Sequence, residues 1–218
     1  LRVRADAFML LRRVNEASDA LQAAIKLDDR AELRLLLAMT LVPQQRYREL
    51  RDVCLPIVTK ADAGIAEGHA VRARLYLAGA ALNLATPVDD IQKTTTDLED
   101  IAQKTNFLEP QEQFLPYYFL RECYLRAGKV APAVRVLNQA VNMAPQFPAA
   151  LYSLARAVQA SKDETMAALL FKRHAQLTSL LSEIDSLSTR AQEKPSDAVL
   201  TKRLNAAQEN LNKLLRQP

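Results

Sequence analysis

The sequence predicts an all-α protein, with antiparallel helix pairs stacked as an α-solenoid and a helical hairpin at the C-terminal end. Three observations predict it. Ala, Leu, Gln, Glu, Arg and Lys abound while the 218 residues include only four Gly and no Trp, a composition whose intrinsic preference is helical. Apolar residues recur at three-to-four spacing, and no useful stretch alternates with the period of two that a strand needs. A pattern of large and small residues returns after 34 residues, from Arg121 to Ala155, as expected of repeated structural units. Apolar residues make up 49% of the chain, ample for the core of one elongated domain or two small ones.

Residues 1–29 read as a first helix pair. Ala7, Phe8, Leu10, Leu11 and Val14 form one stripe, and Leu21, Ala24, Ile25 and Leu27 the other. A turn is expected at 15–19 with Ser18 as N-cap. Residues 30–60 form a degenerate pair: Leu37, Ala38 and Leu41 in one helix, a turn at 43–46, then Tyr47, Leu50, Cys54 and Ile57. Pro56 falls late in that second helix and is expected to kink or shorten it. Residues 61–68 hold two of the four Gly and read as a linker. Residues 69–105 make the third pair, with Leu75, Ala78, Gly79 and Leu82 before a turn at Thr86-Pro87, and Val88, Ile91, Leu98 and Ile101 after it. Residues 106–113 are the expected connector.

The clearest pair is 115–147. Tyr117, Leu120, Tyr124 and Leu125 share one helix face, and Gly128 ends that helix because Gly adopts the left-handed cap without steric cost. Pro132 sits in the next helix's first turn, where its missing N–H does no harm. Ala133, Val134, Leu137, Ala140, Val141 and Met143 supply the second stripe, and Pro145 stops it. The pair at 148–178 repeats the pattern with Leu151, Leu154, Ala155 and Val158, a turn at 161–164, and Ala167 and Phe171. No Pro ends that last helix, so it is expected to run on. Leu177, Leu180, Leu181, Ile184, Leu187 and Ala191 continue its stripe. A break at 193–195 and a cap at Ser196 or Asp197 precede a final helix carrying Leu200, Leu204, Ala207, Leu211 and Leu214. The domain expectation is therefore a repeat region over 1–178 and a hairpin or cap over 179–218.

Tyr117-x-x-Leu120-Arg121-x-x-Tyr124, Ala133-x-x-x-Leu137 and Pro145 resemble the tetratricopeptide repeat (TPR), whose pattern is aromatic-x-x-Leu-Gly-x-x-Tyr, then Ala-x-x-x-Phe, then Pro, with a period of about 34 residues. Leu151-x-x-Leu154-Ala155-x-x-Val158 and Ala167-x-x-x-Phe171 match it again. The resemblance covers 115–178 well, 30–105 weakly, and the extreme C-terminus not at all. Arg121 departs from it, because that slot is usually small to let paired helices approach; Arg there must reach outward or hold them apart. Ala38, Gly79 and Arg121 are spaced 41 and 42 residues apart, longer than the family period. The resemblance implies a right-handed solenoid whose first helices line a concave face, and a non-catalytic role in binding a peptide or a partner's helix.

Tyr76, Tyr118 and Tyr152 each follow the large residue that opens a unit's first helix, so the resemblance places them in equivalent rows on that face. Asn83, Glu122, Arg156 and Gln159 lie one or two turns further on. Tyrosine offers large contact area at low entropic cost, which suits a groove; the same position also serves plain helix packing in the family. The Lys and Asn cluster with which the best-known groove of this family clamps a C-terminal carboxylate is missing, so an uncharged or mixed-charge partner is expected.

Net charge is +4, distributed as +3 over 1–60, −4 over 61–110, +4 over 111–178 and +1 over 179–218. No dense basic stripe with interleaved aromatics appears, so nucleic-acid binding through 1–60 and 111–178 ranks below protein binding. Homodimerisation through the hairpin is the other alternative. Cys54 and Cys123 fall at apolar helix positions and read as buried free thiols, which favours a reducing compartment such as the cytoplasm. His69 and His174 have no ligand-spaced neighbours, so neither metal nor cofactor is expected. The carboxylates Asp89, Asp90, Asp97, Glu99 and Asp100 fit a helix start and a solvated face rather than an acid–base pair. The longest uncharged run, 136–155, is interrupted by Asn, Gln and Pro and cannot span a membrane.

Overall fold

A computed structural model describes residues 2–10, 13–59, 66–84 and 88–216, with the side chains of 9, 10, 88 and 89 left aside. The described residues form eleven α-helices and a short 3-10 turn at Thr105–Phe107, and no strand occurs among them. The chain divides into two compact units, Leu1–Ala127 and Gly128–Pro218.

In the first unit the helices are α1 (Arg2–Leu10), α2 (Val14–Leu27), α3 (Ala31–Leu41), α4 (Tyr47–Thr59), α5 (Glu67–Asn83), α6 (Val88–Gln103) and α7 (Leu115–Arg126). Each packs on the next, and α3 with α5 and α5 with α7 pack as well, so these helices lie side by side in a layer. The core joins Leu21 of α2, Leu33, Leu37 and Leu41 of α3, Leu50 and Ile57 of α4, and Ala73 and Tyr76 of α5. Because α3 touches α2, α4 and α5, its sequence is apolar nearly all round. Gly79 lets α5 approach α7: a Cβ there would meet the Phe119 ring at 3.0 Å.

In the second unit α8 (Val130–Met143), α9 (Pro148–Ala160), α10 (Glu164–Glu193) and α11 (Ala198–Leu215) pack in succession. Helix α10 is a single 30-residue element that passes unbroken through 178–179. Asp163 caps it by accepting the Met166 N–H, and Asp197 caps α11 by accepting the N–H groups of Val199 and Leu200. Leu187, Leu200 and Ala207, with Ile184 and Leu204, close the α10–α11 hairpin. Gly128 takes the left-handed conformation at φ +69°, and Lys162, 34 residues on, takes it too at φ 68°.

Several sequence expectations require correction. Ser18 is no N-cap: α2 begins at Val14, the 15–19 turn does not exist, and Ser18 is fully buried inside the helix. Ala7 is exposed while Ala5 is buried, so the α1 stripe is shifted. Leu27, Leu125 and Met143 are exposed, each in the last turn of its helix. Of the 61–68 linker, Glu67 and Gly68 belong to α5. Residues 61–65, the side chains of Leu10 and Val88, Leu11, and the Thr86-Pro87 turn lie outside the described residues. Pro56 sits inside α4, which continues to Thr59.

Candidate functional site

Helices α1, α3 and α5 and the α6–α7 connector line a cleft of about 390 Å³. Its floor is Leu36 and Met39, two of the α3 side chains that the surrounding core covers only in part. Its rim is charged: Arg2 from α1, Glu32 from α3, His69 and Arg72 from α5, and Glu109 from the α6–α7 connector. The rim carries both signs, with His69 Nε2 at 3.8 Å from Glu32 and Arg72 at 3.5 Å from Glu109.

Arg72 is fixed from below. Its Nε and Nη2 donate to the two oxygens of Glu112 at 2.8 and 2.9 Å, and the Tyr76 hydroxyl donates to the same carboxylate. Glu112 is 3% exposed and accepts the Glu109 backbone N–H besides. Burial works against the Arg72 charge, but the paired Glu112 carboxylate more than offsets it and holds the guanidinium pKa raised. Burial, with the Glu112 charge added, pushes the Tyr76 hydroxyl far above its ordinary value. The chemistry is that of a structural latch, which pins the connector to α5 and presents the Arg72 edge to the cleft. Sequence reasoning passed over Glu112 because it lies in a segment read as a connector, where a buried carboxylate has no periodic signature. The one available signal was the pair Arg72 and Tyr76, four residues apart on one helix face.

The tyrosines predicted to be equivalent have three different environments. Tyr76 is 6% exposed and belongs to the latch. Tyr118 on α7 is half-buried, and Arg121 lies over its ring at 3.7 Å while donating to the Tyr118 carbonyl. Arg121 thus neither holds the helices apart nor runs out into water; it covers its own helix face. Asn83 donates to the Gly79 carbonyl at 2.8 Å, and Glu122 accepts from Arg126. In the second unit Tyr152 is 44% exposed on α9, edge-on to Phe171 at 5.8 Å and 5.3 Å from His174. Arg156 and Gln159 are exposed further along that helix.

The acidic cluster is used for helix ties. Arg74 of α5 donates to Asp97 and Asp100 of α6 at 2.8 and 2.7 Å, and Tyr124 of α7 donates to Glu99. The Arg74 hydrogen bond holds the Asp100 carboxyl below its usual range. Cys54 and Cys123 are buried and free; burial pushes the Cys54 thiol up to about 12. No group of His, Cys, Asp and Glu suited to a metal ion occurs among the described residues, and none of the described helices is long and apolar enough to cross a membrane.

No protein-family model and no curated protein matches the sequence. Solved structures do match. MamA superposes with a TM-score of 0.54 at 17% identity, over 80% of this chain and 94% of that one. The nearly identical TPR-like repeats of a Podosopora anserina protein described as a kinesin light chain superpose twice, once in a singly substituted form. That form gives 0.54 at 18% identity over 79% and 90% of the two chains, and the other structure gives 0.52 at 19% over 80% and 91%. The fold is TPR-like. The cleft over Leu36 and Met39 lies within the first unit.

Proposed function

We propose that the chain is a non-catalytic protein-interaction module, and that a peptide or a partner's helix lies on the first-helix layer of the first unit. The observation that carries this reading is the cleft whose apolar floor, Leu36 and Met39, is framed by both signs of charge. Such a floor supplies apolar burial, while Glu32, His69, Arg72 and Glu109 supply orientation and selectivity. The partner that fits is therefore apolar at its centre with mixed charge at its flanks. Along the same layer α7 offers Tyr118 and Glu122; in the second unit the first helix α9 offers Tyr152, Arg156 and Gln159. The TPR-like fold supports the reading, because stacked helix pairs expose an extended surface of this kind.

The test is capture from the source cell's lysate with wild type, Met39→Glu and the Tyr118→Ala/Tyr152→Ala double variant side by side. Met39→Glu places a charge on the floor and is expected to lose the partner while helicity is retained. A partner kept by Met39→Glu contradicts the reading. The double variant then tells whether the surface extends to the tyrosines.

A further inference from the structure

We propose that the hollow between α10 and α11 is a second docking site, one that takes an acidic amphipathic helix from another protein. The hollow measures about 610 Å³ and lies wholly within the second unit. Its apolar part is Ala175 and Leu180 of α10 with the largely buried Leu214 of α11, and its polar part is Gln176 and Ser179 of α10 and Asn210 of α11. Lys172 and Lys213 stand on opposite walls. No carboxylate lines it; Glu209, next to Asn210, belongs to a separate hollow at the other end of α11. Among the described residues neither lysine has an ion-pair or hydrogen-bond partner.

The charge is local to the lining: Lys172 and Lys213 stand on it without a carboxylate, whereas residues 164–218 as a whole carry 8 basic and 6 acidic side chains. The lining therefore favours an anionic partner. The apolar surface also extends past the hollow: Leu169, three residues before Lys172 on the same face of α10, is 58% exposed. A groove between two antiparallel helices accepts a third helix by ridge-and-groove packing. Apolar anchors of that helix would cover Leu169 and Leu180, and Glu or Asp at its flanks would meet Lys172 and Lys213. This site is independent of the cleft over Leu36 and Met39, and either can fail without the other.

The probe is a fluorescein-labelled synthetic helix of about 16 residues with Leu at i, i+3, i+4 and i+7 and Glu at the flanks, titrated with the full chain. Wild type is expected to bind it one-to-one, with a dissociation constant on the order of tens of micromolar. Lys172→Glu/Lys213→Glu is expected to weaken binding by roughly tenfold or more, and Lys129→Glu/Arg135→Glu, the same charge change on exposed positions around α8, by no more than about twofold. A peptide with Lys in place of Glu is expected to reverse the ranking, binding the Lys172→Glu/Lys213→Glu protein better than wild type; that gain cannot come from a misfolded variant. Equal losses in both double variants, or undiminished binding by a Glu peptide without Leu, would overturn the proposal. So would wild-type self-association in sedimentation that Lys172→Glu/Lys213→Glu abolishes, since the occupant would then be a second copy.

Discussion

The two units use charge in opposite ways. In the first, arginines tie together segments far apart in the chain. Arg72 reaches Glu112 across 40 residues, Arg74 reaches Asp97 and Asp100 on the neighbouring helix, and Arg46 holds Glu49 while approaching Ser18 of α2. In the second, the hairpin is closed by Leu187, Leu200 and Ala207, and Lys172 and Lys213 have no partner among the described residues. The difference follows from contact range. Two helices joined by a short turn find each other through their own apolar stripes. A layer such as α3–α5–α7, with a connector folded back on it, needs specific long-range contacts to fix its register. The first unit is thus the fixed scaffold and the second the one with charge to offer.

The largest effect is expected at the latch. Glu112→Ala leaves the mostly buried Arg72 charge and the Tyr76 hydroxyl without their acceptor, which costs about 3 kcal/mol. Denaturant unfolding should show it, and the Glu112→Leu/Arg72→Met double variant should recover a good part, because the uncompensated charge is gone. Next comes Gly79→Val. Branched carbons placed where Phe119 already sits at 3.0 Å from a Cβ should cost about 2 kcal/mol. Phe119→Leu in the same chain should relieve some of that, a coupling that a double-mutant cycle reads directly.

A smaller effect sharpens the comparison within the second unit. Lys162 and Gly128 hold the same left-handed slot one repeat apart. Lys162→Gly should stabilise by roughly 0.5 kcal/mol, and Gly128→Ala should destabilise by roughly 1 kcal/mol, both measured by thermal unfolding. The smallest effect is on pH dependence. Hydrogen bonds from Arg74 and Arg46 hold the Asp100 and Glu49 carboxyls below their usual range. Their contribution is therefore complete above the ordinary carboxylate pKa of roughly 4 and is lost as pH falls through the lowered values. Arg74→Met should lower stability slightly at neutral pH and leave it nearly unchanged at the acid end, so that the acid limb of the stability curve becomes shallower.

Much of the fold was legible in the sequence, because helix periodicity and turn residues act locally. Gly128 ends α7 with a left-handed residue, Asp197 caps α11, and α10 runs on where no Pro stops it, all readable from neighbours in sequence. Ser18 misled because its preference for a cap was overridden by burial against the core. The candidate cleft was less legible. Its parts come from α1, α3, α5 and a connector, and neither Met39 nor Glu112 carries a pattern that says what it will face. The row of Tyr76, Tyr118 and Tyr152 shows the same limit from the other side. Sequence register makes them equivalent, but Glu112 draws one inward, Arg121 covers the second, and the third stays exposed against Phe171 and His174.

The measurement that tests the central claim most directly is site-specific photo-crosslinking in the source cell's lysate, with the reactive side chain placed either at Met39 on the cleft floor or at exposed Asp52 on α4. The account predicts a discrete protein adduct from Met39 and none from Asp52. An adduct from Asp52 alone, or no adduct from Met39, would contradict the assignment of binding to the first-helix layer.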